Sequence, residues 1–202
     1  MPKRKLLIAS KNKGKVEEIK YKLKDLPFEL LALDEISGEP VKEVEENAMS
    51  FEGNAIIKAM IFGNRFGCLT LGDDSGLAID ALGGRPGIHT SRYQGSSSEH
   101  KYLNILDEME NVPDGKRNAR FIGAIAIYDP AAEIIHTCQD ELTGLIAQEP
   151  KGDFGFGYDP IMYLPELGKT VAELTIDEKS AIDHRGKALE KAKKILLEKF
   201  LQ

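Results

Sequence analysis

Two adjacent carboxylates, Asp73 and Asp74, are followed by Ser75, Gly76 and Leu77, directly after the apolar run Cys68-Leu69-Thr70-Leu71. The run reads as a buried strand and the acidic pair as a loop at its end. Carboxylates beside a hydroxyl are suited to hold a hard cation such as Mg2+, which takes oxygen ligands and keeps several waters. Asp, Ser and Gly are also ordinary turn formers, so a solvated turn explains the pentapeptide equally well. The other chemistry-bearing stretches must decide.

Three of them do. Ser10-Lys11-Asn12-Lys13-Gly14-Lys15 lies between the apolar strand Leu6-Leu7-Ile8-Ala9 and a helical spacing of Val16, Ile19 and Leu23. A glycine-containing loop opening a helix offers backbone N–H groups and the positive end of the helix dipole to an anion. Further on, Gly152, Gly155 and Gly157 alternate with Phe154, Phe156 and Tyr158 ahead of Asp159-Pro160. Glycines interleaved with aromatics allow close backbone approach beside flat stacking surfaces. The last stretch, Lys179 to Lys187, is basic and rich in donors and contains His184-Arg185-Gly186. Phosphate, cation, flat ring and polar atoms on that ring are the parts of a nucleotide.

The elements that must position these loops alternate along the chain. After the first strand and helix, 29–33 reads as a strand and 34–47 as an acidic, irregular, solvated face with Glu43, Glu45 and Glu46. Ser50 is a good N-cap for a helix running to about Phe66. Ser98 starts another helix, ended by Pro113-Asp114-Gly115. Residues 117–128 form a long strand, Asp129-Pro130 turns it, and 133–142 returns as a hairpin partner that 144–147 continues. A short strand at 161–164, helical turns at 173–179 and a final helix from His184 to Phe200 complete the chain.

With 202 residues, 42% hydrophobic and 30% charged, the sequence is that of an ordinary globular chain of one domain. The formal net charge of -6 argues against a nucleic-acid-binding face. No apolar run reaches membrane-spanning length. The 2 cysteines, Cys68 and Cys138, each sit in an apolar run and read as free thiols of a reducing, cytoplasmic compartment. Gly168-Lys169-Thr170 is not the end of a P-loop, because Tyr163 stands where its first glycine is needed. The 4 histidines show no metal-ligand spacing, and His136 reads as structural. Ser75 lacks a nucleophile-elbow context, so serine hydrolase chemistry finds no support.

Six quoted motifs carry a specific resemblance. Ser10-x-Asn12-x-x-Lys15-x-x-Glu18, Asp73-Asp74-Ser75-Gly76-Leu77, Gly83-Gly84-x-Pro86-Gly87, Arg117-x-Ala119-Arg120-Phe121, Phe156-Gly157-Tyr158-Asp159-Pro160 and His184-Arg185-Gly186 keep the order of the inosine triphosphate pyrophosphatase (Ham1-like) family. The chain resembles that family over essentially its whole length. The resemblance implies one α/β domain over residues 1–202, with an elongated, mixed, twisted β-sheet flanked by helices and two lobes around a central cleft. It implies a homodimeric enzyme that uses Mg2+ to hydrolyse ITP, dITP and XTP to the monophosphate and pyrophosphate, binding neither nucleic acid nor membrane.

Carried over position by position, Ser10, Lys11, Asn12, Lys13, Gly14 and Lys15 bind the triphosphate. Asp74 is the proton acceptor and, with Glu45, a metal ligand; Ser75 contacts substrate. Phe156, Gly157, Tyr158, Asp159 and Lys179 line the base and sugar region, and His184 and Arg185 read the base. Where the family commonly has Ser, Glu and Gly, this chain has Asp183, Gly53 and Phe154. With Gly53 in place, Glu46 or Glu52 is an alternative partner for Asp74. The competing expectations are a Maf-type pyrophosphatase acting on pyrimidine nucleotides and a nucleotide sensor without hydrolysis. The purine-family loops weigh against the first, and two retained carboxylates, which repel phosphate unless a cation intervenes, weigh against the second.

Overall fold

The computed structural model describes residues 3–38, 41–42, 44–93 and 97–201. Glu43, part of the expected acidic face, lies outside them. The described strands are β1 (Arg4–Ala9), β2 (Phe28–Ala32), β3 (Leu69–Ile79), β4 (Asn118–Asp129), β5 (Ile134–Ile146), β6 (Met162–Leu164) and β7 (Lys169–Thr170). The α-helices are α1 (Lys13–Leu23), α2 (Leu33–Ser37), α3 (Phe51–Phe66), α4 (Ser98–Glu108), α5 (Ile176–Ile182) and α6 (His184–Phe200). The strands form one mixed seven-stranded sheet in the order β2-β1-β3-β4-β5-β6-β7. β1 pairs parallel with β2 and β3, while β6 pairs antiparallel with β5 and β7. This is an α/β fold, as the sequence predicts.

The backbone divides into two compact units. The first holds residues 1–74, 123–140 and 185–202, and the second 75–122 and 141–184. In the first, Leu6, Ile8, Leu69 and Leu71 are buried together with Ile19 and Leu23 of α1 and Ala188, Leu189, Ala192 and Leu196 of α6. Leu7 and Ala9, on the opposite face of β1, pack with Leu33 and Phe62. The Leu6–Ala9 part of β1 is thus covered on both faces, which is why that run is apolar without alternation. In the second unit, Leu77, Ile79, Phe121, Leu142, Ile161 and Met162 form the core with Ile105 and Met109 from α4 and its C-cap.

Two local expectations are corrected. The Asp73-Asp74-Ser75-Gly76 stretch is not a loop: it lies inside β3, an 11-residue strand buried at nearly every position. Turn chemistry is overridden there because Leu69 to Gly72 are already paired with β1 and the flanking apolar residues are buried. Within 34–47, Leu33–Ser37 is helical, its start fixed by Ala32 N–H donating to Glu35 Oε2 at 2.6 Å. Lys169 and Thr170, to which the sequence pattern assigns no element, form the edge strand β7.

Candidate active site

Adjacent residues on a strand point to opposite faces, and this separates Asp73 from Asp74. Asp73 shares its face with Leu69 and Leu71, toward α1 and α6. Its Oδ1 lies 2.6 Å from Lys15 Nζ, and its Oδ2 accepts from Arg185 Nε at 3.1 Å. Arg185, 2% exposed, also donates from Nη1 to Glu18 Oε2 at 2.6 Å. Burial alone would raise the Asp73 carboxyl, but the Arg185 guanidinium and Lys15 ammonium outweigh it and hold the group well below the usual carboxylate range. Burial pulls Lys15 below the ordinary lysine value, with Asp73 opposing.

Asp74 faces α3. Its Oδ1 accepts from Lys58 Nζ at 2.8 Å and its Oδ2 from Asn54 Nδ2 at 3.3 Å. The same Lys58 ammonium reaches Glu46 Oε1 at 3.1 Å. Asn54 and Lys58 are four residues apart, hence on one side of the helix. Burial raises the Asp74 carboxyl despite the opposing Lys58 and Lys15 charges. Lys58 is raised in turn: burial lowers it, but Asp74 and Glu46 together exceed that effect. The two carboxylates therefore do not converge on one cation, as their adjacency suggested. Asp74 instead shares a cation, Lys58, with Glu46.

The other expected residues fall as follows. Ser10 Oγ accepts from Asn12 N–H at 3.2 Å, and Asn12 Oδ1 accepts from Lys15 N–H at 3.2 Å, so Asn12 caps α1. Lys11 and Lys13 are exposed, whereas Gly14 is half-buried. Glu45 is exposed while Glu46 is half-buried. Ser75 is half-buried on β3, at the start of the second unit.

Within that second unit, Lys179 Nζ lies 2.6 Å from Asp159 Oδ2 and 4.9 Å from the centroid of the Phe156 ring. Asp159 Oδ2 also accepts from Phe156 N–H at 2.8 Å, which ties the glycine-aromatic loop to the ion pair. Gly157 is half-buried in the same loop. His184 is buried with its ring centroid 5.0 Å from that of Phe121. Tyr158, expected to stack on a ligand ring, is a core residue here, buried among apolar side chains with its hydroxyl donating to Thr90 O at 3.1 Å. Sequence reasoning missed Lys58, Asn54 and the contact made by Glu18. Polar residues on a long amphipathic helix read as solvent-facing, and only their burial against β3 distinguishes them.

The sequence matches the model of the Ham1 family over residues 6–195. The chain belongs to the Ham1 family. It is 44% identical over 186 residues to a dITP/XTP pyrophosphatase of Geobacter sulfurreducens, covering 91% of this chain and 92% of that protein. A dITP/XTP pyrophosphatase of Desulforamulus reducens is 44% identical over 194 residues, 95% of each chain. A solved Ham1 protein structure from Coxiella burnetii superposes with a TM-score of 0.85 at 38% identity, covering 96% of this chain and 99% of that one. Ham1 membership agrees with the order of the six motifs and with the mixed sheet.

Proposed function

We propose that the chain hydrolyses non-canonical purine nucleoside triphosphates, namely ITP, dITP and XTP, to the monophosphate and pyrophosphate, clearing them from the nucleotide pool. The observation that carries this reading is Asp74, a buried carboxylate with both oxygens held by α3, in a chain alike over 91% and 95% of its length to two relatives named for that activity.

The donor set on the α3 face fits a hard cation. Asp74 and Glu46 are two carboxylates already gathered around one positive charge, Lys58. Magnesium is commonly held by one or two carboxylates plus substrate phosphates. Among the described residues no group of three or more His, Cys, Asp or Glu is placed to hold a metal ion. Asp74, with Glu46 or the neighbouring Glu45, would hold it. When bound, the cation offsets phosphate charge and acidifies a water.

The chain's own residues do the rest. The loop Ser10 to Lys15 receives the triphosphate at the N-terminus of α1, where backbone N–H groups and the helix dipole favour anions. Asp74 accepts the proton of the attacking water, and Ser75 contacts the substrate. Phe156 offers its ring to the base, Gly157 to Asp159 and Lys179 shape the base and sugar region, and His184 and Arg185 supply donors to the 6-oxygen. The chain acts as one Ham1-like domain, a homodimer in the cytoplasm, as its family resemblance implies.

Incubation with ITP, dTTP or ATP and Mg2+, with pyrophosphate and orthophosphate assayed separately, tests the reading. Pyrophosphate from ITP is the expected product, with Asp74→Asn turning over about 10²-fold slower or worse, the scale of general-base contributions. Orthophosphate release, preference for dTTP, or full activity in chelator would overturn it.

A further inference from the structure

The Asp74 carboxylate is held by a closed set of contacts that begins outside both β3 and the phosphate loop. Ala48 N–H donates to Asn54 Oδ1 at 3.0 Å. That bond settles which end of the Asn54 amide is oxygen, so Nδ2 is the end at Asp74 Oδ2. Asn54 is 1% exposed, which keeps water from substituting for either contact. One turn further along α3, Lys58 holds the other Asp74 oxygen and is itself tied to Glu46, two residues before Ala48. Segment 46–48 therefore anchors both residues that grip Asp74.

The approach of that segment to α3 depends on Gly53. A Cβ at this position would lie 2.6 Å from Ala48 Cβ and 3.1 Å from Ser50 Oγ. Carbon atoms do not approach to 2.6 Å, so any side chain at 53 must push Ala48 away from the first turn of α3. Ser50 is also the N-cap of that turn, its Oγ accepting from Gly53 N–H at 3.0 Å. Ala48, bracketed by Gly53 and the cap, has little room to move and still reach Asn54.

We infer that Asn54 is a positioning residue for Asp74, and that Gly53 is required because it lets Ala48 lock the Asn54 amide. The inference rests on the proposed role of Asp74 as proton acceptor. Neither residue touches substrate: Asn54 acts by fixing the carboxylate, and Gly53 acts by admitting Ala48. A carboxylate free to rotate presents its lone pairs to the water in the wrong direction for most of the time, which lowers turnover rather than substrate affinity.

The test combines kinetics with a signal that needs no turnover. For Asn54→Ala, kcat on ITP should fall roughly ten- to hundredfold, the scale of small misplacements of a reacting group, while KM changes little. Gly53→Ala should show the same split although it lies one residue further from the site. In the double variant the two losses should be less than multiplicative, since both act through one path. In nitrogen-15 NMR spectra, the Asn54 side-chain amide of the parent should be protected from exchange, and Gly53→Ala should lose that protection. Parent-like kcat in Gly53→Ala, fully multiplicative losses, or an Asn54 amide unprotected in the parent would each overturn the inference. An inactive parent with a protected amide lost in Gly53→Ala would overturn the functional reading and uphold the Gly53–Asn54 lock.

Discussion

Lys58 Nζ lies 2.8 Å from Asp74 Oδ1 and, by reaching Glu46 as well, gives two carboxylates of the first unit a single shared cation. Both sides of the Lys58–Asp74 pair are nearly buried, so its geometry is fixed by packing rather than by chance encounter at a surface.

Lys58→Met should therefore be costly. It keeps the length and apolar stem of the side chain but leaves Asp74 and Glu46 facing each other without compensation. Removing one partner of a buried pair costs about 3–5 kcal/mol, read as a lower midpoint in urea or heat. Lys58→Arg keeps the charge and should recover part of the loss. A Lys58→Met protein as stable as the parent would mean that the pair contributes nothing to the fold.

Gly72 tests how tightly β3 is set against α3. A Cβ there would lie 2.2 Å from Ala55 O and 3.0 Å from Ala59 N, both backbone atoms that cannot swing aside. Gly72→Ala must separate strand from helix, at the roughly 1–3 kcal/mol typical of overpacking or more. Because Asp74 is two residues away on the same face, kcat on ITP should fall with stability. A variant that loses stability yet keeps parent kcat would show that the site tolerates the shift.

Asp73 governs acid stability. Its folded carboxyl sits below the unfolded value of about 3.9, held down by Arg185 and Lys15 against the opposing effect of burial. A depressed carboxyl contributes stability that is present above the unfolded value and is lost as pH falls through the folded one. Asp73→Asn should be less stable than the parent at pH 7, by about 3–5 kcal/mol as for other broken buried pairs. The gap should narrow as pH drops below about 4. Urea unfolding at pH 7, 5 and 3.5 measures it; a gap that is constant with pH would place the effect elsewhere than in the charge.

Much of this arrangement could be read from the chain. The helix over His184–Phe200 and the Ser50 cap of α3 follow from apolar spacing and cap chemistry, and the structure has both. The six motifs, strung in order, identified the family. What escaped was set by tertiary contact. Asp73 and Asp74 look like a turn because their side chains favour one; only their place in the middle of β3, whose preceding residues Leu69 to Gly72 pair with β1, makes them strand, and only strand alternation sends them to opposite faces. Lys58 and Asn54 look like solvent-facing residues of α3 until β3 is laid against them. Tyr158 reads as a stacking surface from its glycine neighbours, yet its place in the loop turns it into the core.

In the proposed reaction, base preference turns on donors. ITP and XTP present a 6-oxygen where ATP presents an amino group, and Arg185 carries only donors. Its Nε and Nη1 already serve Asp73 and Glu18, so Arg185→Ala should do two things at once. It should destabilise the first unit by leaving buried Asp73 with Lys15 as its one remaining ion-pair partner among the described residues, and it should weaken discrimination between ITP and ATP. The first effect lowers every rate through the amount of folded enzyme, but it cancels in the ratio of kcat/KM for ITP and ATP measured on one preparation. A buried donor left unpaired costs about 1–3 kcal/mol, so the ITP:ATP ratio should drop about 5- to 150-fold. Lys179→Met, which acts in the second unit beside Asp159 and Phe156, should shift the ratio without lowering the acid stability set by Asp73. If Arg185→Ala slows ITP, XTP, GTP and ATP equally and leaves the ratio intact, its guanidinium serves the Asp73 and Glu18 ion pairs alone, and base reading falls to Lys179 and His184.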